Sequence, residues 1–312
     1  MNNKLLVTPA PHVTGSLSNQ MMMVGILIAL APTAILGVIN FGIRALFVIL
    51  ISMASSWLFE ILFNLMVKKK AYFSDLSSLV TGFMTALVLP VSAPLYIPVI
   101  ASFLAIVIFK GFFGGLGRNF LNPTACSRVL IAFVMTSLSM SLFTGTALGP
   151  NVTSPLAYFE VGDFSSITLR SLFFGTTTGA IGTSCILCIL ITGILLMFFK
   201  ITDFVIPFAS ILTFVAIVWG ISGSQAILPF LFSGSFMFCA MFMVTDPVTS
   251  PCTIWGKLVS GLLFGLFAGL FRVYHVLGET SVFVAVLMVN ILSPLLDKIF
   301  MPRTIGARRR AK

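Results

Sequence analysis

The chain has 312 residues, 58% of them hydrophobic, and Asp, Glu, Lys and Arg together make up 8%, against roughly 25% in soluble domains. With a mean hydropathy of +1.13, this composition excludes disordered, collagen-like and disulfide-scaffold classes and indicates an all-α polytopic membrane protein. The net charge of +10 is carried in short groups between apolar runs, which reads as a set of topology signals and argues against a nucleic-acid surface.

Residues 1–20 are polar and proline-bearing and lack the basic start and adjacent apolar core of a secretory signal, so this segment is expected to be retained. Apolar runs at 22–39, 43–66, 77–91, 95–112 and 126–148 predict a first five-span unit over 21–148. A loop at 149–171 follows. Runs at 172–199, 203–221, 226–244, 257–273 and 280–299 predict a second five-span unit over 172–300, closed by a basic tail at 301–312. With the N-terminus in the cytoplasm, fifteen of the 18 Lys and Arg fall on that side, and only Arg44, Arg170 and Arg272 fall on the other. That is the positive-inside pattern for ten spans with both termini cytoplasmic.

The chain also repeats itself weakly. Pro90-Val91-Ser92-Ala93-Pro94 and Pro247-Val248-Thr249-Ser250-Pro251 each follow an apolar run containing Phe-Met, and they stand 157 residues apart. Five spans per half would invert the second half relative to the first, the arrangement of many transport folds. A pair of unrelated proline-rich turns is the plainer reading.

No dinucleotide, P-loop or zinc motif is present, and His12 and His275 are the only histidines, so no metal site is expected. Cys185 and Cys188 stand one helical turn apart, a spacing that suits apolar packing better than thiolate chemistry in hydrocarbon. The acids are more informative, because ionisable groups at membrane depth mark pathways or partners. Glu60, Asp246 and Glu279 lie at or near span interiors. Asp246 precedes the helix-breaking Pro247, where its carboxylate would either line a cavity or cap the next helix. Glu279 reads as a first-turn acid, and the 157 spacing pairs it with Asn122, at the end of a glycine-rich string.

Taken together, Ala10-Pro11-His12, the string Gly-Gly-Leu-Gly-Arg-Asn-Phe-Leu-Asn-Pro at 114–123, Gly179-Ala180-Ile181-Gly182, Thr-Asp-Pro-Val-Thr-Ser-Pro at 245–251 and Gly278-Glu279 resemble the RnfD component of the Rnf ion-translocating electron-transport complex, a relative of the NqrB component of the sodium-pumping NADH:quinone oxidoreductase. The resemblance implies a fold like that of urea transporters, with two inverted five-span halves in a bacterial inner membrane. It also implies an FMN joined through its phosphate to a threonine of the outer loop by a flavin transferase. Ser165, Ser166 and Thr168 match the serine, small residue and acceptor of the family's attachment motif, making Thr168 the expected acceptor, with Arg170 beside it as a counter-charge to the phosphoryl group or a plain loop charge. The match departs at Ile167, where the family has alanine, and at Asp163, which stands five residues before Thr168 instead of six. Implied partners are the other subunits of the complex, membrane lipid and Na+ or H+ as coupling ion. Two further readings from the sequence are a small-solute channel of the same architecture and a flavin-less structural subunit.

Overall fold

A computed structural model describes residues 19–67, 76–115, 117–137, 155–160, 162–163, 167–177 and 179–301. Helices account for every regular element among them, as hydrocarbon requires of a backbone that must satisfy its own N–H and C=O groups. α1 (Asn19–Phe41) and α2 (Ile43–Met66) are joined at Gly42, whose φ of 76° permits an abrupt reversal. α3 (Ser77–Leu87) is short, and α4 (Tyr96–Phe103) runs on into a π-helical turn, Leu104–Gly111. α5 (Pro123–Ser137), α6 (Pro155–Glu160), α7 (Leu169–Phe174), α8 (Ile186–Phe198) and α9 (Val205–Ser222) follow. α10 (Ile227–Phe232) and α11 (Phe236–Phe238, extended by the π-helical Cys239–Met243) precede α12 (Ile254–Val273) and α13 (Ser281–Phe300).

Each of the ten apolar runs contains helix, but their lengths differ from expectation. Five helices, α1, α2, α9, α12 and α13 with the turn before it, are long and apolar enough to cross a bilayer. The run at 226–244 is bent by 67° at Ser233-Gly234-Ser235, and counts as a sixth crossing if the bent pair is one span. The run at 172–199 is also divided: α7 ends at Gly175 (φ 80°), and α8 starts only at Ile186. Glycines and hydroxyls in these runs keep hydropathy high while releasing the backbone from the helix, so apolarity alone overstates helix length.

Shifted by 157 residues, α1, α2, α3, α4 and α5 fall on α8, α9, α11 with its extension, α12 and α13. The packing follows the same correspondence. α2 lies against α4 as α9 lies against α12, and the corresponding pairs α1 with α8 and α5 with α13 meet each other. α9 and α12 approach closely because Gly261, Gly265 and Gly269 stack along one face of α12; a Cβ on Gly261 would lie 2.6 Å from Ile206 O. α2, α3 and α4 are joined by a hydroxyl chain in which Ser52 donates to Gly82 O at 2.8 Å and Ser102 donates to Ser52 O at 3.0 Å.

Candidate functional site

The two short helices α3 and α11 end inside the protein, which exposes carbonyls that need donors. At the end of α3 all three are engaged: Gly182 N–H donates to Leu87 O at 2.8 Å, Arg128 Nε to Val88 O at 3.1 Å and Ile181 N–H to Leu89 O at 3.2 Å. The Gly-Ala-Ile-Gly string thus packs on this end, and a Cβ on Gly182 would sit 2.6 Å from the Leu87 side chain. Arg44 reaches the next carbonyls, Ser92 O and Ala93 O, each at 3.3 Å. At the end of α11, Met243 O accepts from the Asn122 amide at 3.5 Å and from Asp246 N–H at 3.4 Å. Asn122 also opens α5, its Oδ1 accepting the N–H groups of Thr124 and Ala125 at 3.1 and 3.2 Å.

Beside Asn122 lies a cavity of about 60 Å3, whose polar lining includes Ser77, Thr81, Lys110, Asn119, Thr124 and Asp246, with Pro247 also on its wall. Such a volume suits a few waters or a partly hydrated ion. Three residues picked from the sequence, Asn122, Asp246 and Pro247, therefore meet here. Glu279 does not line it; it lies half-buried in a 3-10 turn, Gly278–Thr280, and acts electrostatically on the Arg128 guanidinium.

Asp246 does not cap α12. Thr253 takes that position, its Oγ1 accepting from Gly256 N–H at 3.1 Å, while Asp297 Oδ1 accepts from Cys252 N–H at 2.8 Å. Among the described residues the Asp246 carboxylate accepts from within its own turn, including Val248 N–H at 3.3 Å, and burial pushes it up to about 6 against these stabilising bonds.

The positive-inside count puts Lys110 and Arg128 on the cytoplasmic side and Arg272 on the other, at or within the ends of apolar runs; in the structure all three are buried. Lys110 Nζ donates to Glu60 Oε1 at 2.6 Å and to Ser77 Oγ at 2.5 Å. Lys110 is the single charge of the run 95–112 and Glu60 the single acid of the run 43–66, and that isolation is the signal available in the sequence, since a charge at such depth demands a counter-charge. Arg272, on α12, reaches Ser233 O at 3.5 Å, where Gly234 (φ 62°) leaves room for the guanidinium.

Thr168 lies elsewhere, at the start of α7. Its side chain is exposed and its Oγ1 accepts from Ser171 N–H at 3.3 Å. With Arg170, Ser171, Phe174 and Thr176 it borders a shallow hollow of about 380 Å3. The Arg170 guanidinium lies 6.0 Å from the Phe174 ring centre, and its side chain is exposed beside the hollow. Ser165 and Ser166 lie outside the described residues. α7 packs on α10 through Phe173 and Phe232, whose ring centres are 6.1 Å apart, so the threonine's helix rests on the first arm of the bent pair.

The NQR2, RnfD, RnfE family matches this chain over residues 6–306. The corresponding subunit of a Na(+)-translocating ferredoxin:NAD(+) oxidoreductase complex from Acetobacterium woodii is 33% identical, covering 98% of this chain and 96% of that protein. Its counterpart in a proton-translocating ferredoxin:NAD(+) oxidoreductase complex from Clostridium ljungdahlii is 30% identical over 98% of both. A subunit of the ion-translocating oxidoreductase complex from Mannheimia succiniciproducens is 29% identical, over 98% and 99%. Matched by the family over nearly its whole length and at least 30% identical to two of these subunits, this protein belongs to the NQR2, RnfD, RnfE family.

Proposed function

We propose that the chain is the flavin-carrying membrane subunit of a complex that moves electrons between reduced ferredoxin and NAD+ while translocating Na+ or H+. The observation that carries this reading is similarity over nearly the whole length of relatives named for that activity. Its other components are the remaining subunits of the complex and a flavin transferase. In this reading the two halves are inverted repeats in a bacterial inner membrane, with both termini cytoplasmic and the Thr168 segment outside.

FMN is assigned to Thr168. The residues present suit it: the hydroxyl is exposed at the edge of a hollow, and Arg170, on the border of the same hollow, would supply a cation for the phosphoryl group. When bound, the flavin supplies the electron-carrying chemistry, and the protein supplies position and electrostatics. Thr168 fixes the cofactor to α7, and Phe173 ties α7 to the bent helix pair. Asn122 and Asp246 present an amide and a carboxylate to the cavity, groups suited to a hydrated cation or a proton.

The test is expression with the flavin transferase, denaturation, and inspection for in-gel flavin fluorescence together with a mass increment on the Thr168 peptide. Thr168→Ala is expected to abolish both while leaving insertion intact. A purified T168A protein that still carries covalent flavin overturns the assignment.

A further inference from the structure

The cavity follows one stripe of α3. Ser77, Val80, Thr81 and Met84 line it at positions i, i+3, i+4 and i+7, and the stripe continues one turn on to Val88. α5 runs alongside: Thr124 lines the cavity, and Arg128 stands one turn further along the same face, just outside the lining. There Arg128 is 7% exposed, donates through Nε to Val88 O, places its guanidinium 5.6 Å from the Phe283 ring centre and leaves Nη1 without a hydrogen-bond partner among the described residues. Cys239, outside the cavity lining, is wholly buried and within electrostatic reach of both Arg128 and Arg272.

We infer that Arg128 is a tethered cation that closes the inner end of the cavity against ions. A permanent positive charge at the carbonyl end of α3 occupies the place a mobile cation would take, because helix C-termini favour positive charge. It also repels any cation advancing from Asn122 and Asp246. At the corresponding end of α11 the donors to Met243 O are neutral, the Asn122 amide at 3.5 Å and the Asp246 N–H at 3.4 Å. Glu279, the residue 157 positions after Asn122, lies within electrostatic reach of the guanidinium. The inference rests on reading the cavity as part of an ion path and is independent of the flavin.

The test uses the purified full-length chain in anionic phospholipid liposomes under an imposed inside-negative potential, with Na+ and H+ entry read by trapped dyes. Wild-type protein and Arg128→Lys, which keeps the charge, are expected to hold the gradient. Arg128→Gln and Arg128→Met are expected to leak at least about tenfold faster, and millimolar guanidinium is expected to slow that leak. Inserted, monodisperse R128Q or R128M with wild-type flux overturns the seal. A second readout needs no change at Arg128: a charged thiosulfonate reagent is expected to label Thr124→Cys and to stop short of native Cys239. Labelling of Cys239 in that protein overturns the seal, whereas failure to label Thr124→Cys overturns the reading of the cavity as an aqueous path. Loss of flavin from Thr168 changes neither result.

Discussion

Two half-buried acids show how the same kind of group takes opposite roles beside different partners. Glu60 meets the Lys110 ammonium at 2.6 Å, with side-chain exposures of 17% and 5%. Removing one partner leaves an uncompensated buried charge, at a cost of about 3–5 kcal/mol, whereas replacing both by apolar groups of similar size is close to neutral. Lys110→Met is therefore expected to lower the melting temperature sharply, and the double change Glu60→Leu with Lys110→Met is expected to recover most of that loss. A thermal-shift double-mutant cycle checks it; additive losses would mean that the pair is not coupled. Asp246 has no cation at hydrogen-bonding distance among the described residues, and its carboxylate rises from 3.8 to about 6. A carboxyl group with a raised folded value contributes stability that is complete below about 3.8 and lost as pH rises through about 6. Asp246→Asn is expected to stabilise the protein above pH 6 and to flatten its melting profile between pH 4 and 6. An unchanged slope in that window would count against the shifted carboxyl.

At the scale of elements, close approach and interruption do different work. α12 presents Gly261, Gly265 and Gly269 to α9, and any side chain at Gly261 or Gly265 would strike the backbone of α9 at Ile206 O or Ser210 O. Gly261→Leu is expected to push the helices apart and to destabilise by about 1–3 kcal/mol, the range for overpacking. A lower melting temperature and poorer monodispersity in detergent are the readout, while Gly220→Ala, on α9 with no atom within 4 Å of a built Cβ, serves as the mild control. The interruptions were harder to foresee. Proline marks one side of the 88–95 break, yet what holds it is a pairing with 180–182 and two arginines from α2 and α5. The bend at Ser233-Gly234-Ser235 has no proline at all; small residues and a buried guanidinium suffice.

For the molecule as a whole, the sequence by itself determined the solvent, the positions of the apolar helices, the 157-residue recurrence and the family. Those properties are written locally: hydropathy sums along a run, and the Thr-Asp-Pro-Val-Thr-Ser-Pro and Gly-Gly-Leu-Gly-Arg-Asn strings are contiguous. Asp246 was legible because an acid beside an apolar run stands out, Pro247 because proline breaks a helix, Asn122 through the 157-residue spacing, and Thr168 because it falls in a motif. Tertiary structure alone decided that Lys110 faces Glu60 and Ser77, that Arg128 and Arg272 turn inward, that Asp246 lines a cavity instead of capping α12, and that Glu279 stands outside that cavity. The physical reason is that a charge in an apolar run announces only that it needs a partner. Which partner it finds, 50 residues away for Lys110 and Glu60, depends on how helices cross and which carbonyls their broken ends leave exposed.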